Sequence, residues 1–169
     1  FVRGIDKKKW AVLKNMYLSK FNSPLSSSMG RLFDAVSSLI LGKERVTFEA
    51  QLAMELEKIA TLGSPRASSY NFKIIKDTAG YIIDPTPIFK EIIRDIKTKK
   101  PKPDIAYRFH YTVARIVKKG CLILKKETGV KSVVLSGGVF QNTILLNLAN
   151  ALLYKEGFKV FTHKELSCN

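Results

Sequence analysis

A buried-strand pattern that runs into two glycines, a helix and a second strand is the feature that most limits how this chain folds. Residues 132–135 (SVVL) form a short apolar run of the kind that fills a strand covered on both faces. Gly137 and Gly138 follow, then an apolar helix pattern that Gly157 closes, then a second strand pattern at residues 158–161. This order predicts two parallel strands joined by a right-handed helical crossover.

The turn after the first of these strands is the expected ligand-binding position. Ligands of open α/β sheets collect at the carboxyl ends of the strands, and glycines there let backbone N–H groups face an anion or a polar ring. Asn142 lies in or just before the first helical turn, and its amide offers both a donor and an acceptor to a nucleobase edge or a ribose hydroxyl. The competing interpretation is that Gly137 and Gly138 only make a tight turn and that Asn142 only caps the helix.

The remaining chain divides into a helical part, residues 1–68, and an α/β part, residues 69–169. In the helical part, apolar spacing predicts a helix over residues 7–20, a second from Gly30 that ends at Gly42, and a third that Thr47 caps.

The α/β part begins with a predicted hairpin. Two strand patterns surround the turn at residues 77–80, and a helix through Ile96 follows. Asp104 is expected to cap a long helix that reaches about Glu127, with one apolar face that includes Cys121.

Composition excludes several classes of protein. With 46% hydrophobic and 25% charged residues among 169, the chain has the composition of a folded domain rather than of a disordered segment. No apolar run approaches the roughly 18 residues that cross a bilayer, and two cysteines, Cys121 and Cys168, are too few for a disulfide scaffold. The chain starts at Phe1 without a signal-peptide pattern, so we expect a cytoplasmic piece of a longer protein.

The positive charge leaves two interpretations open. Lysine and arginine number 29 against 14 acidic residues, a formal charge of +15. The basic residues occur in scattered groups without interleaved aromatic residues, which favours solvated helix faces over a nucleic-acid reader. A basic nucleic-acid-binding module remains the alternative, and attraction of an anionic ligand or an acidic partner fits the same charge.

Asp34 is the second candidate for binding. It lies off the apolar stripe of its predicted helix, where its carboxylate could accept hydrogen bonds from two ribose hydroxyls or pair with Arg31 for under about 1 kcal/mol. His110 is expected to be a packed histidine and Cys121 a buried thiol, while His163 has no partners at metal-ligand spacing. The residues alone therefore indicate no complete catalytic triad or metal site.

Three segments together resemble one family. Residues 26–36 (SSSMGRLFDAV) resemble the TSSxGRLFDAV signature of the HypF carbamoyltransferases, which mature nickel–iron hydrogenases. Residues 48–57 (FEAQLAMELE) resemble their YEGQAAxxLE stretch, and residues 135–142 (LSGGVFQN) match their LSGGVFQN run. Ser26, Phe48 and Ala50 depart from the family's Thr, Tyr and Gly.

The resemblance implies a fold and a reaction. It implies a partial actin/sugar-kinase/Hsp70-like ATPase fold of the TsaD type, with this chain as the C-terminal lobe of the carbamoyl-transfer domain, with extra helices, truncated at both ends. The complete enzyme uses carbamoyl phosphate and ATP to form carbamoyl-adenylate, and transfers the carbamoyl group to the C-terminal cysteine of HypE. A TsaD-type tRNA-modifying relative is the neighbouring alternative.

The resemblance also implies roles for particular residues. Asp34 would hold the ribose, Gly137 and Gly138 would approach the nucleotide, Asn142 would contact the adenine, and the segment around Glu49 would line the same cleft. The divalent metal and the zinc of the complete protein would have their ligands outside this chain, which would be inactive by itself. All these roles require that Asp34 and the two glycines line one adenosine-sized slot.

Overall fold

The computed structural model describes residues 6–65 and 68–163, which form six α-helices, four strands and a short 3-10 helix. The elements, in chain order, are α1 (Lys7–Leu18), α2 (Met29–Leu41), α3 (Gln51–Ala60), β1 (Lys73–Asp77), β2 (Gly80–Asp84), α4 (Thr86–Lys97), α5 (Lys102–Thr128), β3 (Ser132–Leu135), the 3-10 helix (Gly138–Gln141), α6 (Thr143–Lys155) and β4 (Lys159–Thr162).

The strands form two separate pairs. β1 and β2 are the predicted antiparallel hairpin, and β3 and β4 are the predicted parallel pair, joined by α6. The expectation that β3 is covered on both faces is wrong. Because side chains alternate along a strand, Val133 and Leu135 face the core while Val134 points to the other face and is 68% exposed. No described element covers that second face, so one side of β3 contributes to the core.

Helix α5 is the centre of the core. Its apolar face packs against α2, α3, α4 and α6, and Ile105, Phe109, Val113 and Ile116 on that face are buried. Cys121 lies further along the same stripe but is only partly buried, so the expectation of a buried thiol is wrong. Burial nevertheless raises the pKa of this thiol.

Two of the predicted helix caps differ from the observed ones. Gly42 ends α2 with φ +75°, as expected for a glycine after the last turn. Thr47 does not cap α3, which begins at Gln51 after Ala50 at φ +60°; the Thr47 N–H instead donates to Gln51 Oε1 at 2.8 Å. Asp104 is likewise inside α5, not its cap, and its carboxylate accepts from the Ser64 N–H at 2.9 Å.

Helix α1 is formed by local interactions. The Asp6 carboxylate accepts from the backbone N–H groups of Lys8 and Lys9 and so caps its first turn. None of its residues is buried, so its amphipathic pattern does not contribute to the core. Within residues 6–65 and 68–163, no helix combines the length and the apolarity that crossing a membrane requires.

Candidate functional site

The backbone conformation of the diglycine turn requires a glycine at Gly137 but not at Gly138. Neither glycine is required by crowding from neighbouring atoms. Gly137 has φ +96°, a backbone conformation that residues with a Cβ rarely adopt, whereas Gly138 does not require it. A Cβ built on either glycine would meet no heavy atom within 4 Å, other than from its immediate chain neighbours. The turn between β3 and α6 therefore presents exposed backbone to empty space among the described residues, at the carboxyl end of a strand.

Asn142 is the residue that joins this turn to α6. Its Oδ1 accepts from the Leu145 N–H at 2.8 Å, so it is the N-cap of the helix, as the competing interpretation of the sequence held. Its Nδ2 lies 2.9 Å from His110 Nε2. The amide is therefore held at both ends while remaining partly exposed.

His110 lies on α5 and is fully buried, which confirms the expectation of a packed histidine. Its Nδ1 lies 2.8 Å from the Ala106 carbonyl, which can only accept, so Nδ1 carries the proton of the neutral ring. Nε2 is then an acceptor, and Asn142 Nδ2 donates to it. Burial lowers the pKa of His110 and outweighs the Ala106 carbonyl and the charge of Glu57, which both raise it.

Glu57 on α3 occupies the N-terminus of α6. Its Oε1 accepts from the Thr143 N–H and the Thr143 hydroxyl, both at 2.7 Å, and from the Ile144 N–H at 3.4 Å. A carboxylate is favoured at the positive end of the helix dipole. Because Glu57 and Asn142 already occupy the first-turn amides, this helix end cannot offer them to a phosphate.

Asp34 lies on α2, whose first turn packs against the diglycine turn. A Cβ built on Gly30 would lie 4.0 Å from Val139 Cγ2, and Asp34 follows Gly30 by four residues, on the same side of the helix. Its Oδ2 pairs with Arg31 Nη1 at 3.1 Å, with side chains 34% and 71% exposed, respectively. The pair that the sequence offered as an alternative is thus present, and an exposed pair of this kind contributes little to stability.

Glu49 is the candidate residue that does not contact the N-terminus of α6. It is exposed and precedes α3, whereas Glu57 is near the other end of that helix, roughly 12 Å further along its axis. Glu57, not Glu49, is the acidic residue of segment 48–57 that reaches the N-terminus of α6. The only sequence signal for Glu57 is that it closes that segment.

Ser136 and His163 form a pair that the sequence pattern does not indicate. Ser136 directly precedes Gly137 and His163 directly follows β4, so both lie at the carboxyl end of the parallel pair. Their Oγ and Nε2 atoms are 2.9 Å apart, and both residues are exposed. Among the described residues, no group of three or more His, Cys, Asp and Glu side chains could hold a metal ion; Cys168 lies outside them.

A cleft of about 270 Å³ lies away from the turn and has a structural explanation. It is lined by Asp95, whose side chain is 2% exposed and accepts from Arg108 and Lys100, each at 2.8 Å, and from the Tyr70 hydroxyl at 3.1 Å. Burial works to raise the pKa of Asp95, but these hydrogen bonds outweigh it and hold the pKa below its usual value. The network ties α4 to α5, and its charges are already paired.

Comparison with known proteins gives consistent matches. Residues 2–169 match the family model described as carbamoyltransferase, Kae1-like domain, second subdomain. The chain is 32% identical over 147 residues to a protein of Synechocystis sp. named carbamoyltransferase HypF, covering 87% of this chain and 18% of that protein. It is 29% identical over 149 residues to a tRNA N6-adenosine threonylcarbamoyltransferase of Thermosipho melanesiensis, covering 86% of this chain and 43% of that protein.

A solved structure extends the match to three dimensions. The crystal structure of full-length HypF in the phosphate- and nucleotide-bound form superposes with a TM-score of 0.93 at 36% identity, over 99% of this chain and 22% of that one. The resemblance to HypF and the expected α/β fold, a partial TsaD-like fold, are confirmed. The chain spans about a fifth of the length of these HypF proteins, at 18% and 22%.

Proposed function

The chain belongs to the carbamoyltransferase family as the second subdomain of its Kae1-like domain, and on this premise we propose that it holds the adenosine part of a nucleotide during carbamoyl transfer. The transfer itself is an activity of the complete protein. This chain corresponds to 18% of the Synechocystis relative, so it supplies binding and orientation rather than the whole reaction.

One observation carries the proposal: the open diglycine turn lies between the fixed amide of Asn142 and a helix that bears the partly exposed carboxylate of Asp34. Asn142 follows the turn and caps α6. The first turn of α2 packs against Val139 in the same turn, and Asp34 follows on the same side of α2. In this arrangement Asn142 contacts the adenine, and the absence of side chains at Gly137 and Gly138 lets the nucleotide approach the backbone. The Asp34 carboxylate breaks its ion pair with Arg31 and accepts hydrogen bonds from the ribose hydroxyls.

The negative charge of Glu57 at the N-terminus of α6 indicates how the bound nucleotide is oriented. Glu57 places a carboxylate on the first amides of this helix, and a phosphate there would meet a like charge at close range. The phosphates therefore point away from α6, toward parts of the complete protein outside this chain. The HypF structure named for its bound phosphate and nucleotide supports binding of such ligands in the family.

The reaction we propose for the complete protein uses carbamoyl-adenylate, formed from carbamoyl phosphate and ATP. The thiolate of the C-terminal cysteine of a HypE-type acceptor attacks the carbonyl carbon, the bond from that carbon to the phosphate oxygen breaks, and AMP leaves with the electron pair. This step needs the mixed anhydride held in register and the charge on AMP stabilised. The nucleophile comes from the acceptor protein, so the residues of this chain bind and orient.

The described residues contain no group of three or more His, Cys, Asp and Glu side chains that could hold a metal ion. The divalent metal that the family resemblance implies would stabilise the phosphate charge, and we place its ligands, and those of the zinc, outside residues 6–65 and 68–163. The isolated chain is accordingly expected to bind AMP weakly and to show no transferase activity.

The proposal is tested by asking whether Asp34 recognises the ribose. Calorimetric titration measures the affinity of the chain for AMP and for 2′,3′-dideoxy-AMP, with wild type and Asp34→Ala. Loss of a charged hydrogen-bond acceptor should weaken AMP binding about tenfold and leave binding of the dideoxy compound unchanged. Equal weakening of both ligands, or of neither, would remove Asp34 from the site.

Arg31→Ala is the matched control for this experiment. It breaks the same ion pair but leaves the carboxylate in place, so AMP affinity should stay the same or increase slightly. Amide shifts in a nuclear magnetic resonance titration should include Gly137, Gly138 and the Asn142 side chain. Shifts confined to other regions would contradict the proposed location.

A second candidate function is tRNA modification. It is favoured by the 29% identity to the Thermosipho melanesiensis enzyme and by the net charge of +15. This function predicts tRNA binding that weakens steeply with salt, as would a general basic nucleic-acid-binding module. Binding to tRNA but not to a random duplex would favour the tRNA enzyme, and absence of both would leave the HypF-type function.

A further inference from the structure

The hydrogen bond between His110 and Asn142 affects which nucleobase the proposed site binds. His110 is fully buried on α5, and its role is not explained by packing alone, since its Nε2 lies 2.9 Å from the Asn142 amide. The two residues are 32 positions apart in the chain, so the contact is made by the packing of α5 against α6.

Successive hydrogen bonds determine which atom carries each proton in this contact. The Ala106 carbonyl accepts a hydrogen bond from the protonated Nδ1 of His110, which leaves Nε2 as the acceptor for Asn142 Nδ2–H. At the other end, the Leu145 N–H needs an acceptor and takes Asn142 Oδ1. Rotating the amide by 180° would put its oxygen against the Nε2 lone pair and its NH2 group against the Leu145 N–H, two repulsive contacts in place of two hydrogen bonds.

We propose that His110 is a positioning residue that holds the Asn142 amide in one orientation, so that the site distinguishes adenine from guanine. The proposal rests on the proposed adenosine site. The held amide keeps one free N–H and one free lone pair, in fixed order. Adenine presents an amino donor beside a ring acceptor, whereas guanine presents its oxo acceptor where adenine has the amino donor. An amide free to rotate would satisfy either base, but a held amide satisfies one.

The surroundings keep the His110 ring neutral. Phe33 on α2 and Phe109 on α5 pack edge-on against it, with ring centroids 5.3 and 6.1 Å away. Glu57 on α3 is the charged side chain that acts on it, and α6 contributes the uncharged Asn142. Protonation would place an N–H at Nε2 opposite the Asn142 Nδ2–H and so break this hydrogen bond, leaving only the Leu145 N–H to hold the amide.

The first test is independent of any nucleotide. Long-range nitrogen–proton correlation spectra of the chain should show His110 with Nδ1 protonated and Nε2 unprotonated at neutral pH. One Asn142 side-chain proton should exchange slowly with solvent. A protonated Nε2, or two fast-exchanging amide protons, would overturn the proposal whether or not the chain binds AMP.

The second test measures the ratio of AMP to GMP affinity in three variants. His110→Phe keeps a ring packed against Phe33 and Phe109 but removes the acceptor, and should lower the ratio about tenfold. His110→Gln places an amide oxygen near the position of Nε2 and should restore the ratio. Val113→Ala, a core change one turn along α5, should lower the melting temperature without changing the ratio.

The outcomes separate the two proposals. If wild type binds neither AMP nor GMP, the proposed function fails while the proton assignment is still decided by the first test. If wild type binds AMP and His110→Phe keeps the same ratio, the positioning role is refuted and the adenosine site stands. Should His110→Phe not fold, the pH profile decides: wild-type selectivity should fall as His110 becomes protonated, and that of His110→Gln should not.

Discussion

Gly138→Ala adds one methyl group to the open side of the diglycine turn, where the proposed site receives the nucleotide. The backbone of Gly138 lies outside the left-handed region, and the added Cβ meets no heavy atom within 4 Å beyond its chain neighbours. Alanine should therefore stabilise the folded chain by about 0.4–1 kcal/mol, because it restricts the unfolded state. The same methyl group, placed in a packed contact with adenosine, should cost about 1–3 kcal/mol of binding, which is roughly five- to 150-fold in affinity.

Stability and affinity thus change in opposite directions, which a general loss of structure cannot produce. Urea unfolding measures the first and calorimetric titration with AMP the second. Gly120→Ala is the matched control, because it is the same substitution in equally open space on α5; it should raise stability by up to about 1 kcal/mol and leave AMP affinity unchanged. A Gly138→Ala chain that is more stable and binds AMP as tightly as wild type would refute the placement of the nucleotide at this turn.

Three further predictions concern charged and titratable groups. Glu57→Ala should lower the free energy of unfolding by about 1 kcal/mol, because the Thr143 and Ile144 amides of α6 lose their acceptor; an unchanged urea midpoint would contradict this. Because burial lowers the pKa of His110, the unfolded chain binds a proton that the folded chain does not at pH values just below 6.5. Stability should then fall with decreasing pH by up to about 1.4 kcal/mol per unit until the folded-state pKa is passed, and His110→Gln should remove this component. Asp95→Ala removes one acceptor of the partly buried Arg108, which keeps its pair with Glu91, and should cost about 1–3 kcal/mol, whereas Asp34→Ala should cost under about 1 kcal/mol; similar thermal shifts for the two would be inconsistent with these assignments.

Local patterns predicted the elements that position the site. The apolar run at residues 132–135, the two glycines and the helix after them predicted the β3–α6–β4 unit, and its parallel pairing is confirmed. The ends of helices were harder to predict. Thr47 has the chemistry of a cap, yet its N–H is taken by the Gln51 side chain and the chain enters α3 through Ala50 at φ +60°.

Within the candidate site, side-chain contacts between residues close in sequence could be predicted, whereas contacts between distant segments could not. Arg31 and Asp34 are three residues apart on one helix, and Asn142 and Leu145 are three apart at a cap, so both contacts follow from helix geometry. The contact of Glu57 with Thr143 spans 86 residues and that of His110 with Asn142 spans 32. The hydrophobic periodicity of the sequence does not indicate contacts between residues so far apart in the chain.

The amino-acid order determined where the backbone turns, because φ preferences and the 3.6- and 2-residue repeats act over a few neighbouring residues. The prediction that a ligand binds at Gly137, Gly138 and Asn142 rests on this local information. Only the packing of α3 and α5 against α6 decided which partner holds the Asn142 amide and which carboxylate occupies the helix end. Those choices depend on how whole helices pack together, which is settled by the burial of the shared core rather than by any one segment.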